Sequence, residues 1–85
     1  MTVGYSKTFI KQSKKLSPDL RQKLYQRITL FVSNPLDPAL RNHALKGKYR
    51  QYRSMDITGD IRALYTQRGD NYIFEVVGTH SQLYS

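Results

Sequence analysis

Cysteine is absent from these 85 residues. The chain therefore has no disulfide and no thiolate metal site, and it fits a reducing compartment. No apolar run approaches the roughly 18 residues that a membrane-crossing helix needs. Nor does the amino terminus carry the hydrophobic segment of a secretory signal. The expectation is a soluble, cytoplasmic protein with no membrane contact. Carboxylates are scarce too: six Asp and Glu stand against 14 Lys and Arg, for a net charge of +8. There are only two histidines, and no metal ion or cofactor is expected.

The charge that is present is uneven. Residues 1–53 carry twelve basic and two acidic side chains, whereas residues 54–85 carry two basic and four acidic ones. Charge of this kind speaks to partners rather than to fold. It favours a polyanion, RNA or DNA, with an acidic protein as the second candidate. A membrane surface fits less well, because no long amphipathic stretch of large apolar residues backs the basic ones.

A chain of this length makes one domain, residues 1–85, which buries only about 60% of the surface its unfolded form exposes. There is no repeat, linker or low-complexity segment. Val3 to Tyr5 reads as a short strand, and Ser6 as the N-cap of a helix to about Lys15. Ser17-Pro18-Asp19 is a well-formed helix start, with a capping hydroxyl, proline at the first helical position and a carboxylate at the positive end of the dipole. Leu20, Leu24, Ile28 and Phe31 then recur at helical spacing. Asn34-Pro35 ends the helix, since the residue before proline is pushed out of the α region. His43-Ala44-Leu45 reads as a short strand or irregular edge. Three strand-like runs follow, Tyr49 to Ile57, Ile61 to Gln67 and Tyr72 to Val77, separated by the turn compositions Thr58-Gly59-Asp60 and Arg68-Gly69-Asp70-Asn71. Connections this short imply an antiparallel meander. The order β-α-α-β-β-β predicts an α+β fold of two layers, with two helices on one face of a small antiparallel sheet.

A three-residue loop at 58–60 places Asp56 opposite Arg62 and Met55 opposite Ala63. Met55, Ile57, Ile61, Ala63 and Tyr65 are then buried, and Ser54, Asp56 and Arg62 share the other face. That geometry describes an ordinary cross-strand ion pair. It equally describes an arginine held ready to bridge two phosphate oxygens. Lys46, Lys48, Arg50 and Arg53, interleaved with Tyr49 and Tyr52, offer phosphate contacts and rings on which unstacked bases lie. Near the end of the sequence, Gly78-Thr79-His80-Ser81-Gln82-Leu83-Tyr84 places an imidazole and a phenol four positions apart. His80 is the strongest candidate for acid-base work. Cleavage of RNA by its own 2′-hydroxyl needs charge stabilisation on phosphorus, a proton acceptor and a proton donor, and no metal ion is obligatory. An arginine, a histidine and one further acid-base group meet that need.

Four pieces of sequence together carry a resemblance over about residues 20–84: His43-Ala44-Leu45-Lys46-Gly47, Tyr52-Arg53, Asp60-Ile61-Arg62-Ala63-Leu64-Tyr65, and Gly78-Thr79-His80 with Leu83-Tyr84. The chain resembles bacterial toxins of the RelE superfamily, nearest in pattern to the YafQ-like branch of ribosome-associated mRNA interferases. The resemblance implies a two-layer, microbial RNase-like domain, an mRNA and ribosome target, and a cognate acidic antitoxin forming a hetero-oligomer with it. It implies catalytic roles for His80, His43, Asp60 and Tyr84, and a phosphate-contacting role for Arg62. The pattern also departs from the family. Ser54 and Asp56 stand where YafQ-like toxins have an aspartate and a histidine, and Val76 stands where they have an arginine. Asp56, Asp60 and His43 therefore compete as general base, with His80 as acid. Two other functions share the architecture: a ParE-like toxin that inhibits DNA gyrase without cutting RNA, and an inactive RNA-binding relative.

Overall fold

The computed structural model describes residues 1–84. In chain order it contains strand β1 (Thr2–Tyr5), helix α1 (Lys7–Lys14), helix α2 (Pro18–Ser33), a 3₁₀ turn (Pro38–Leu40), strand β2 (His43–Ala44), a second 3₁₀ turn (Gly47–Tyr49), strands β3 (Arg53–Asp56), β4 (Ile61–Arg68) and β5 (Asn71–Thr79), and helix α3 (His80–Tyr84). Among the described residues no helix is long and apolar enough to cross a membrane.

Both long helices start where the sequence places them. Ser6 Oγ accepts the Phe9 amide at 2.9 Å and Ser17 Oγ accepts the Leu20 amide at 3.3 Å. Each bond satisfies an amide that the first helical turn leaves without a partner. Asn34 leaves the helical region at φ −152, directly before Pro35. The buried stripe of α2 is Leu24, Ile28 and Phe31. Phe31 lies edge-on to three rings of the sheet, with centroids 4.9 Å from Tyr65, 5.4 Å from Tyr72 and 5.4 Å from Phe74. Phe9 from α1, Leu40 from the first 3₁₀ turn, and Met55, Ile57, Ile61, Ala63 and Val77 complete the core.

The five strands lie in the order β1-β5-β4-β3-β2. The expected meander is present in β3, β4 and β5, but the sheet as a whole is mixed, because β1 pairs with β5 in parallel. This corrects the wholly antiparallel expectation. Nothing local in a four-residue strand tells which edge it will join. β1 covers β5 only as far as Phe74. Beyond it the edge of β5 is closed by α1: Ser6 Oγ donates to the Glu75 carbonyl at 2.6 Å, and Gln12 Oε1 accepts the Val77 amide at 2.8 Å. An exposed row of unpaired backbone groups is thus removed.

A second correction concerns Tyr49 to Tyr52, expected as strand. Gly47 adopts φ +66 and opens a 3₁₀ turn, and the Tyr52 amide donates back to the Tyr49 carbonyl at 2.9 Å. The strand begins only at Arg53. The register of the next hairpin is as the sequence predicts, with Asp56 opposite Arg62 and Met55 opposite Ala63.

Candidate active site

Strand pairing alone lays out the open face of the sheet. Residues directly opposite one another share a face, so the pairings His43 with Ser54, Asp56 with Arg62, and Arg62 with Gly78 place His43, Ser54, Asp56, Arg62 and Gly78 on one side. The helices occupy the other. At Gly78 the chain turns back over this face as α3. A β-carbon at Gly78 would lie 2.9 Å from Gln82 Oε1, so the absence of a side chain is what lets the turn sit so low. Thr79 and Gln82 hold it there. Thr79 Oγ1 accepts the Gln82 amide at 3.1 Å, and Gln82 Oε1 accepts the Thr79 amide at 2.8 Å. This reciprocal pair is a capping box, Thr-x-x-Gln, and it fixes the first turn of a helix only five residues long.

The box positions His80 and Tyr84 on one side of α3, with ring centroids 4.6 Å apart. Tyr84 in turn meets Tyr49 edge-on at 5.2 Å. Lys48 Nζ lies 5.2 Å from the centre of the Tyr49 ring, a cation–π contact. Between α3, β2 and the loop after β2 lies a cleft of about 560 Å³ lined by Arg41, His43, Leu45, Lys46, Tyr49, Ser54, Arg62, His80 and Tyr84.

Arg62 is fixed by the hairpin it follows. Its Nη1 donates to the Thr58 and Gly59 carbonyls at 3.1 and 3.0 Å, and its Nε lies 3.1 Å from Asp56 Oδ1. That last contact is an ion pair off the line of a hydrogen bond, so Oδ1 is buried with its charge compensated and its hydrogen bond unmade. Arg41 Nε donates to the other oxygen, Oδ2, at 2.7 Å. This bond and the carboxylate's charge raise the Arg41 pKa above its ordinary value, so Arg41 stays charged. The Asp56 side chain is 19% exposed, between an Arg62 side chain that is 14% exposed and an Arg41 side chain that is 65% exposed. His43 Nδ1 lies 2.7 Å from the Arg41 carbonyl. A carbonyl only accepts, so Nδ1 carries the hydrogen, and Nε2 of a neutral ring is left as the acceptor.

Of the residues singled out from sequence, the cleft brings together His43, Lys46, Arg62, His80 and Tyr84. Asp56 lies beneath them as the counter-ion of two arginines. Asp60 is exposed in the 58–60 turn, outside the cleft lining, with its amide on Thr58 Oγ1. Arg53 belongs to the opposite face: it is paired with Tyr65, and its guanidinium holds Asn42 through Nε at 2.8 Å. Arg50 folds back on the Gly47 carbonyl at 3.4 Å, and Tyr52 accepts the Leu45 amide at 3.2 Å. Neither residue, nor Lys48, lines the cleft. Sequence reasoning missed Arg41 and the Thr79–Gln82 clasp. Arg41 gives no local signal, whereas the clasp was present as a Thr-x-x-Gln pattern.

Comparison with known proteins identifies the family and the fold. The sequence model of the family described as bacterial toxin of type II toxin-antitoxin system, YafQ, matches residues 1–85. The chain is 32% identical over 82 residues to the mRNA interferase toxin YafQ of Escherichia coli K12, covering 94% of this chain and 87% of that one. The crystal structure of YafQ from E. coli BL21(DE3) superposes with a TM-score of 0.84 at 26% identity, over 98% of this chain and 97% of that one. The toxin in the crystal structure of the E. coli DinJ–YafQ toxin-antitoxin complex superposes with a TM-score of 0.81 at 26% identity, over 98% and 96% of the two chains. The sequence match over the whole chain and the shared fold lead to one conclusion: this chain belongs to the YafQ family of bacterial toxins of type II toxin-antitoxin systems.

Proposed function

We propose that this protein is an mRNA endonuclease that cuts by attack of a ribose 2′-hydroxyl on the adjacent phosphorus. The observation that carries the reading is one cleft lined by two imidazoles, an anchored arginine and a phenol, in a chain whose E. coli relative is named an mRNA interferase. His43, with its hydrogen on Nδ1, takes the 2′-hydroxyl proton at Nε2. The new bond to phosphorus closes a 2′,3′-cyclic phosphate as the bond to the 5′-oxygen breaks, and His80 supplies the proton that the leaving oxygen needs. Arg62 meets the charge that gathers on the phosphate oxygens, a role that favours a group already fixed before the reaction begins. Asp56 has both oxygens engaged by guanidinium groups and serves as their counter-ion rather than as a base. Tyr84 holds the His80 ring from the next turn of α3.

A domain this small has little surface with which to orient RNA alone, so the ribosome is proposed to present the mRNA, with ribosomal RNA receiving part of the basic surface. Primer extension on mRNA after brief induction tests the reading. Wild type should give discrete 5′ ends, and folded His80→Ala should reduce cleavage by about 10²- to 10⁴-fold. Wild-type rates in the variant would remove His80 from the chemistry. Growth arrest with intact transcripts would point instead to a ParE-like target. Transcripts without ribosomes should be cut poorly, and rapid cleavage of free RNA would reject the ribosome's part.

A further inference from the structure

Arg41 lines the cleft and has no part in the proton transfers. Among the described residues it is the one non-glycine residue at positive φ, with φ 46 and ψ 44. A side chain bearing a β-carbon adopts this left-handed conformation at a cost, and such positions cluster at ligand clamps and active sites. Three contacts hold it there. The Arg41 amide donates to the Pro38 carbonyl at 3.2 Å, its carbonyl accepts His43 Nδ1–H at 2.7 Å, and its Nε donates to Asp56 Oδ2 at 2.7 Å.

Arg41 and Arg62 both line the cleft, and each keeps donors uncommitted. Arg41 spends only Nε on Asp56, and its two terminal nitrogens have no hydrogen-bond partner among the described residues. Arg62 Nη2 is in the same position. On the floor beside them the buried Ser54 hydroxyl also has no hydrogen-bond partner. Two guanidinium groups against one carboxylate leave a net positive charge, and Lys46 on the cleft wall adds to it. Arg62 has one terminal nitrogen left for the phosphate it meets, whereas Arg41 keeps both and can meet the two unbridged oxygens of a phosphodiester as a fork. Arg41 is also the more exposed of the two and sits on the far oxygen of the shared carboxylate, which leaves it free for a second phosphodiester beside the first.

We propose that Arg41 forms a second phosphate subsite, which holds the phosphodiester next to the one that Arg62 meets. Asp56 is the positioning residue that spaces the two guanidinium groups. Because the Arg41 carbonyl also fixes the His43 ring, occupancy of the neighbouring phosphate and placement of the base meet in one residue. The proposal rests on the reading of the cleft as an RNA-cleaving site.

Arg41→Gly is the informative variant. Glycine accepts the left-handed conformation without strain, keeps the carbonyl that holds His43, and removes the guanidinium with its bond to Asp56, whose other oxygen stays paired with Arg62. The probes are two uncleavable 2′-O-methyl ligands, a dinucleoside monophosphate with one phosphodiester and a trinucleoside diphosphate with two, titrated by NMR against wild type, Arg41→Gly and Arg62→Gln. Amide spectra show in the same samples that each variant is folded. Loss of one charge-assisted fork should weaken the trinucleotide about tenfold in Arg41→Gly and leave the dinucleotide unchanged. Arg62→Gln should weaken both. Equal weakening of both ligands by Arg41→Gly, weakening of neither, or a wild type that binds the two alike would overturn the subsite. The two readings fail separately. If transcripts stay intact while the ligand pattern holds, the nuclease falls and the subsite stands. If transcripts are cut and the pattern is absent, the reverse follows.

Discussion

A guanidinium has five donors, and Arg62 uses its fork to reach Asp56 and two turn carbonyls while keeping one terminal nitrogen uncommitted. A lysine ammonium carries the same charge on a single atom. It would settle on the carboxylate or the carbonyls, with no second nitrogen held in place for a phosphate. Arg62→Lys is therefore expected to lose about 10²-fold or more in mRNA cleavage. Induction of the variant should permit growth, and full growth arrest would show that a generic positive charge suffices.

At the scale of the element, α3 is too short to be stable by propensity, since helix formation has a costly nucleus. Its order comes from the Thr79–Gln82 clasp and from Gly78 beneath it. Gln82→Ala should cost about 1 kcal/mol, the usual worth of a cap, and the loss should fall on α3 rather than on the core. Cleavage should drop while the midpoint of urea unfolding barely moves. A variant of unchanged activity would show that RNA orders the helix unaided. Ser6→Ala is the opposite case. It removes both the cap of α1 and the bond to the Glu75 carbonyl on the open edge of β5. It should cost about 1–2 kcal/mol of global stability, read as a lower urea midpoint with an unchanged slope. The sequence made the helices legible because their signals are local: Ser6, Ser17-Pro18 and Asn34-Pro35 lie beside the termini they define. The 58–60 hairpin was legible because one register segregates Met55 and Ile57 from Asp56 and Arg62. Tyr49 to Tyr52 was misread because tyrosines and alternation suit a strand, while the left-handed Gly47 that turns the chain shows no φ in its sequence. Of the site, His80 and Arg62 were visible as chemistry, and His43 and Tyr84 only through the family resemblance. Arg41 was not, because its role depends on a backbone angle and on Asp56, fifteen residues away.

For the whole molecule, the sign of the charge changes along the chain, from a strongly basic amino-terminal part to a slightly acidic remainder. E. coli YafQ is known in complex with the antitoxin DinJ, and an acidic antitoxin of this protein would be steered to the basic part before any apolar contact forms. Its association rate should fall steeply between low and physiological ionic strength, while dissociation changes much less. Stopped-flow mixing at two salt concentrations measures both, and a salt-insensitive association rate would reserve the charge for RNA. The parallel pairing of β1 with β5 has a consequence for biosynthesis. β1 is made before its partner β5, which also sits beside β4 and beneath α1 and is the last of the five described strands to be made. Until β5 emerges, β1 is unpaired, Ser6 and Gln12 have no edge to close, and Phe31 lacks two of its three aromatic neighbours in the sheet. A nascent chain stalled before residue 71 therefore has neither a closed sheet nor a cleft, and both appear only once β5 and α3 have been made.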